Sequence, residues 1–185
     1  MIREKQSKSV QVGWRITLCI AILLSGCTNN DWRTASRESA NIAPDPETTP
    51  EAVIQVYGAD AYSWRGLIAI HTWISVKPKG AKSYTVYDVV GWRVNRGLPA
   101  LRSVQDIPDR YWYGERPELF LDIRGEKAAR LIVKIRNEIQ EYPWKHTYKL
   151  WPGPNSNTFP AWIAKQIPEL QLELPFRAIG KNYVN

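Results

Sequence analysis

The sequence predicts an α+β domain in which an antiparallel sheet is packed by two main helices. Several short runs rich in valine, isoleucine and aromatic residues are bounded by glycine, proline and charged residues, which is typical of strands joined by turns. A long amphipathic segment and a shorter one near the C-terminus supply the helices. The domain is expected to cover residues 51–185, because a second domain in this length would be too small to be stable.

The strongest strand signal is the run Leu67–Val76, which is stopped by Pro78 and Gly80. Turn residues separate it from a second run, Tyr84–Val90, so the two runs predict a β-hairpin. Further short strands are predicted at 53–57, 100–104, 110–113 and 119–123.

Apolar residues recur at three- and four-residue steps between Glu126 and Tyr142, which predicts a helix with one buried stripe. Pro143 ends this helix. A second helix is predicted to begin between Ser156 and Phe159 and to run to about Gln166. Its start is set by Pro160, because a residue without an N–H is tolerated only in the first helical turn.

The first 26 residues have the pattern of a secretory signal peptide. Four basic residues precede the apolar run Ile16–Leu24, which is shorter than the about 20 residues needed to span a bilayer. The following Leu24-Ser25-Gly26-Cys27 resembles the lipobox of bacterial lipoproteins, which implies cleavage before Cys27 and its acylation. The alternative is a plain signal peptide with a chance cysteine.

The lipobox resemblance implies a partner and a location. We expect an anchor in the membrane through Cys27, with the protein facing the periplasm. Thr28 is not the aspartate that favours retention in the inner membrane, so the outer membrane is the expected address. Residues 27–50 are polar and contain three prolines, which predicts a flexible tether.

Composition excludes several kinds of chemistry. Cys19 lies in the predicted signal and Cys27 is the lipidation site, so the domain has no thiol for a disulfide, a zinc site or a cysteine nucleophile. With only two histidines we expect no metal and no cofactor. Without the signal the chain carries 21 basic and 17 acidic residues, near +4, which suits anionic lipid or cell-wall polymers and gives no reason to expect nucleic acid.

The stretch WPGPNSNTF, residues 151–159, places Ser156 at the start of the second helix. The favoured role of Ser156 is a helix cap whose Oγ accepts from an N–H two or three residues on. It could instead be a nucleophile with the N–H groups of Asn157 and Thr158 as oxyanion hole, or those N–H groups could bind a carboxylate or a glycan. Asn155 and Asn157 either hold the loop by Asx-type bonds or face a ligand.

A serine nucleophile needs a base, and His71 is the better placed of the two histidines. On a strand it shares a face with Trp73 and Ser75, whereas the more uniformly apolar face includes Ile74 and Val76, so the face of His71 leaves room for a polar site. If the hairpin pairs tightly, Asp88 on the partner strand orients the imidazole.

The order of these motifs, IHTWISV and YTVYDVVGW on strands and NSNTF at a helix start, resembles the circularly permuted papain-like superfamily. Its members include lecithin retinol acyltransferase-type enzymes and PPPDE-type isopeptidases. The resemblance implies that His71 occupies the position of the base and Ser156 that of the nucleophilic cysteine. Serine departs from that pattern, because a thiol with a pKa of about 8.5 ionises far more easily than an alcohol.

A closer resemblance covers roughly Ala52–Tyr183. The motifs HTWISVK, GPNSNTFPAW and LPFRAIGKNY are similar to those of the bacterial family called domain of unknown function 3750, which implies no established activity.

Three functions remain open at this point. The leading one is a cell-envelope lipoprotein with a non-catalytic papain-like domain that binds an envelope polymer, another ligand or a protein partner between His71 and Ser156. The alternative is a serine-dependent amidase or acyltransferase, and the third is a purely structural envelope protein. Trp112 and Tyr113 could form an aromatic platform for a sugar ring, although inward packing from a strand is the favoured interpretation.

Overall fold

The computed structural model describes residues 31–184. Residues from Ala35 onward form one compact unit, whereas residues 31–34 belong to a separate N-terminal unit. The predicted signal peptide and Cys27 lie outside the described residues. Within residues 31–184, no helix combines the length and the hydropathy needed to cross a membrane.

The centre of the compact unit is a five-stranded antiparallel sheet with the strand order β4-β3-β2-β1-β5. Its strands are β1 (Val53–Asp60), β2 (Ile70–Lys77), β3 (Thr85–Val89), β4 (Leu101–Gln105) and β5 (Glu118–Arg124). Each of these was predicted to within about three residues, and the predicted hairpin between β2 and β3 is confirmed.

The predicted strand at 110–113 is wrong. Arg110 and Trp112 form only isolated bridges, to Ser39 and Glu115 respectively. The chain turns here because Tyr113 and Gly114 both adopt positive φ angles, of 52° and 92°.

The helices confirm the predicted α+β class. They are α1 (Gly91–Val94), α2 (Gly125–Glu141) and α3 (Thr158–Gln166), with 3-10 turns at Ser63–Leu67, Pro168–Leu170 and Lys181–Val184. The predicted stripe of α2 is buried against the sheet, and it consists of Ala128, Leu131, Ile132, Ile135 and Ile139. The short α1 was not predicted.

Both faces of the sheet are buried along the central strands β1, β2 and β3, whereas the edge strands β4 and β5 are partly exposed. One face, which includes Ile74 and Val76, packs with α2 and α3 in the larger core. The other face carries Trp73 in a smaller core with Trp112, and the indole N–H of Trp73 donates to the carbonyl oxygen of Pro108 at 2.7 Å. The face of His71 is therefore covered by the loop 106–113 and is less open than the sequence predicted.

The predicted tether, residues 27–50, is also too long, because residues 35–50 belong to the compact unit. The buried carboxylate of Asp109 accepts hydrogen bonds from Ser39 Oγ and from the N–H groups of Ile42 and Ala43, at 2.8, 2.6 and 3.0 Å. Near its other end, the segment caps buried Lys77, whose Nζ donates to the carbonyl oxygens of residues 49 and 51. We call residues 38–51 the N-terminal strap. Polar bonds hold it, so no apolar periodicity marks it in the sequence.

Candidate functional site

A cleft of about 710 Å³ opens where β3 separates from β2. The pairing of these strands ends at Trp73 and Asp88, and the chain after β3 turns into α1. On the side of β3, the first residues of β2 therefore lie beside the cleft, whereas their other edge remains paired with β1. The start of α3 and Ile179 form another part of the wall.

The wall of the cleft is mainly aromatic and aliphatic. Four tryptophans contribute to it: Trp64, Trp92, Trp112 and Trp151. Among the described residues that line the cleft there is no carboxylate, and Arg65 is the one side chain with a permanent charge. The site therefore suits an apolar ligand that carries no positive charge.

The start of α3 is capped by Asn155 and not by Ser156. Asn155 Oδ1 accepts from the N–H groups of Asn157 and Thr158 at 3.0 and 3.3 Å, and Thr158 Oγ1 in turn accepts from the N–H of Asn155 at 3.0 Å. The predicted cap role of Ser156 is therefore wrong. The predicted oxyanion hole fails for the same reason, because both N–H groups already have an acceptor.

Both asparagines hold the loop, as the Asx interpretation predicted. Asn155 Nδ2 donates to the carbonyl oxygens of Leu150 and Ile179, and Asn157 Nδ2 donates to those of Ile70 and Ile179. All four distances lie between 2.9 and 3.1 Å. These bonds tie the start of α3 to β2 and to the C-terminal segment.

Ser156 lines the cleft and is 5 % exposed. Its carbonyl oxygen accepts from Thr72 Oγ1 at 3.2 Å. Among the described residues, neither its N–H nor its Oγ has a hydrogen-bond partner. Ser156 therefore offers an N–H donor and a hydroxyl group to a ligand in the cleft.

His71 also lines the cleft, but its ring is held on the other face of β2. Neighbouring strand residues point to opposite faces, and Thr72 is the one that reaches Ser156. The imidazole stacks on Trp112 with centroids 3.6 Å apart and planes 5° apart. Its Nε2 is buried and has no hydrogen-bond partner in the described part of the chain. No hydrogen bond joins it to Ser156.

The charge state of His71 follows from its burial. Loss of solvent around the imidazole lowers the pKa of His71 to about 3, against the opposing attraction of Asp88. The ring is therefore neutral at pH 7. A base with so low a pKa is far from the value near the working pH that favours proton transfer.

Asp88 does not orient His71. Its carboxylate accepts two bonds from Arg102 at 2.7 Å and one from Arg110 at 2.9 Å. Burial alone would raise the pKa of Asp88, but these bonds and the two guanidinium charges hold it below its usual value. The predicted orienting bond is replaced by a buried ion-pair network, because the strand register sets Asp88 opposite Trp73.

The predicted aromatic platform lies in a different environment from the one expected. Trp112 is only 6 % exposed, with one face covered by His71, and Tyr113 packs edge-on against it. The exposed aromatic side chains at the cleft are Trp64, Trp92 and Trp151, at 66, 43 and 76 %. Sequence reasoning missed these three, since composition alone does not distinguish a surface tryptophan from a core one.

The fold and the cleft define an α+β domain with a ligand-sized site where β3 separates from β2. The chain belongs to the family described as Protein of unknown function (DUF3750), whose model matches residues 51–183. Comparisons with curated proteins and with solved structures found no match. The resemblance to the permuted papain-like superfamily therefore stays a prediction.

Proposed function

We propose that the protein is a cell-envelope lipoprotein, anchored through Cys27 on the periplasmic side of the outer membrane, whose cleft binds an anionic amphiphile. A fatty acid or a lysophospholipid with an anionic head and no ammonium group has the required chemistry. The observation that carries this proposal is the wall of the cleft, which is apolar, has no carboxylate and carries one cation. In this proposal a papain-like order of motifs is kept without a working nucleophile and base.

The apolar part of the ligand is matched by size and chemistry. A volume of about 710 Å³ is within the usual range of about 300–1,000 Å³ for small-molecule sites. The aliphatic wall, which includes Ile68 and Ile70, and the tryptophans favour acyl chains over a sugar, because a sugar needs more polar groups than this wall offers.

Hydrogen-bond donors in the cleft suit the acidic head group of the proposed amphiphile. Arg65 supplies a guanidinium, held by the bond from its Nε to the carbonyl oxygen of Tyr62 at 3.2 Å. The N–H and Oγ of Ser156 and the buried Nε2 of His71 add polar groups that have no protein partner among the described residues. A carboxylate or phosphate would pair with the guanidinium of Arg65 and with the N–H and hydroxyl of Ser156, whereas an ammonium head would be repelled by Arg65.

Titration of the protein with oleate, oleyl alcohol and a muramyl disaccharide tests the proposal by tryptophan fluorescence. Oleate should bind tightest, and Arg65→Ala should reduce its advantage over the alcohol about tenfold, since a hydrogen bond to a charged group contributes about 1.5–3 kcal/mol. Trp92→Ala should weaken the binding of both oleate and oleyl alcohol. The matched control is Val133→Ala, an exposed side chain of α2 outside the cleft. Tighter binding of the disaccharide than of oleate would contradict the proposal. An effect of Val133→Ala as large as those of Arg65→Ala and Trp92→Ala would also contradict it.

A serine-dependent amidase or acyltransferase is the second candidate, favoured by the unpaired Oγ and N–H of Ser156 in a cleft that also contains His71. In that reaction Ser156 Oγ attacks an amide or ester carbonyl, and its proton passes through His71 to the leaving amine or alcohol. Water or an acceptor then releases the acyl group from the serine. The occupied N–H groups of α3 and the low pKa of His71 argue against this candidate.

Labelling with a fluorophosphonate distinguishes the two candidates. We expect no label on the wild-type chain. A label that disappears in both Ser156→Ala and His71→Ala, while Ser75→Ala keeps it, would establish the serine-dependent reaction instead.

A further inference from the structure

An exposed apolar ridge lies at the mouth of the cleft. Leu67 and Ile68, at the end of the 3-10 turn that also carries Trp64, are 84 and 58 % exposed, and Phe176 is 93 % exposed. Arg177 holds the two parts of the ridge together, because its carbonyl oxygen accepts from the N–H of Ile70 at 3.1 Å and its guanidinium binds the carbonyl oxygen of Gly66. The ridge is thus built on anchored backbone.

Exposed apolar side chains are concentrated in the segments around this mouth. Eight of the 12 exposed large hydrophobic side chains in the described residues lie in 61–70, 91–99, 144–154 and 175–181. We call these four segments the mouth face. Each contributes at least one residue to the wall of the cleft. An apolar concentration of this kind on a surface indicates contact with another phase or molecule.

The charge of the mouth face indicates what this face contacts. The four segments contain no aspartate or glutamate and seven basic residues: Arg65, Arg93, Arg96, Lys145, Lys149, Arg177 and Lys181. Asp60, just outside them, pairs with Arg177 at 2.8 Å. The acidic residues of the chain lie elsewhere, so the positive charge coincides with the exposed tryptophans and aliphatic side chains.

We propose that the mouth face docks onto an anionic lipid bilayer, with the ridge in the acyl-chain boundary and the basic side chains at the headgroups. Tryptophan prefers the interface between the headgroups and the acyl chains. Transfer of aliphatic side chains from water into the acyl region is favourable in free energy. Each basic residue adds attraction to an anionic leaflet. The docking does not depend on what the cleft binds. If the cleft does take an anionic amphiphile, the ligand reaches it directly from the bilayer.

Hydrogen exchange of the full chain, reconstituted into vesicles, tests the docking. Because an N-terminal anchor would hold the protein on any vesicle, the readout is local protection of the segments 61–70 and 175–181 and not total binding. Vesicles of phosphatidylcholine with about one quarter phosphatidylglycerol should slow exchange there about tenfold relative to phosphatidylcholine alone. The difference should shrink at high salt.

The double variant Leu67→Asp and Phe176→Asp should abolish the extra protection. Both side chains are exposed, so its thermal stability without vesicles should match the wild type. Val133→Asp, an equivalent exposed position on α2 at 59 %, should keep the protection. No protection in anionic vesicles, or equal loss in the control, overturns the proposal. Protection that appears without vesicles and grows with protein concentration also overturns it, because a second copy would then cover the face.

Discussion

At the residue scale, His71 shows how the fold sets the chemistry of the cleft. Stacking on Trp112 and burial keep the imidazole neutral, so the deep end of the cleft carries no histidine charge at pH 7. Burial of His71 lowers the stability of the folded protein when the pH falls. An unfolded chain takes up a proton near pH 6.5, whereas the folded chain takes it up only near pH 3.

We therefore expect the free energy of unfolding to fall as the pH is lowered from about 6.5 towards 3. Between these values the unfolded state binds one more proton, which gives a slope of at most about 1.4 kcal/mol per pH unit. His71→Gln should flatten the pH dependence of urea denaturation by this amount. His146→Gln, at an exposed position, is the matched control variant. A His71→Gln protein with the wild-type slope would contradict the burial argument.

Two adjacent residues at the start of α3 make a second contrast at this scale. Asn155→Ala removes five hydrogen bonds and should lower stability by about 2–4 kcal/mol, whereas Ser156→Ala should change it by less than about 0.5 kcal/mol. Thermal or urea denaturation measures both. A large effect of Ser156→Ala with a small effect of Asn155→Ala would restore serine as the cap.

At the scale of elements, the N-terminal strap is a structural part of the domain. It has little apolar surface, and the carboxylate of Asp109 holds its first half through three donors. Lys77 holds its second half, and burial lowers the pKa of that lysine. The strap lies over the same face of the sheet that carries Trp73, where Tyr84 Oη also donates to the carbonyl oxygen of Pro44 at 3.0 Å.

Asp109→Ala should release residues 38–43 from the sheet. We expect faster amide exchange at Ile42 and Ala43, whose N–H groups lose their acceptor, and a loss of stability of about 2–4 kcal/mol. Glu118→Ala, at an exposed position of β5, is the matched control and should change neither quantity. Unchanged exchange at residues 42 and 43 would show that the carboxylate does not hold the strap.

At the scale of the whole molecule, the C-terminal segment joins the sheet to α3. Arg177 accepts from β2, and the carbonyl oxygens of Ile179 and Gly180 accept from the start of α3. Gly180 adopts φ +97°, and an added Cβ would collide with the side chain of Asn155. A glycine is needed here both for the backbone angle and for the close approach.

Gly180→Ala should therefore destabilise the protein more than Gly97→Ala. Both glycines have positive φ, but no atom lies within 4 Å of the Cβ position at Gly97. Gly97→Ala should cost about 1–2 kcal/mol from backbone strain alone, and Gly180→Ala at least about 1 kcal/mol more. Equal melting temperatures for the two variants would show that Asn155 moves aside freely.

The fold followed from the sequence better than the site did. Runs of β-branched and aromatic residues bounded by turn residues located the five strands, and Pro160 located the start of α3. Apolar periodicity located α2, since burial of one helix face leaves a regular pattern. It could not show the strap or the C-terminal segment, because hydrogen bonds to distant side chains leave no period. The chemistry of WPGPNSNTF was correctly placed at a helix start, but the cap fell one residue earlier. The separation of β3 from β2, which creates the cleft, has no local signal.

The contacts of the C-terminal segment also order the events of biosynthesis. Residues 177–180 follow every strand and both main helices in the chain, yet they complete the attachment of α3 to β2. A growing chain can pair its hairpins early, but the wall of the cleft is incomplete until this segment has been added. Under the proposed function, a chain that still lacks this segment cannot retain a ligand, because the wall of its cleft is incomplete.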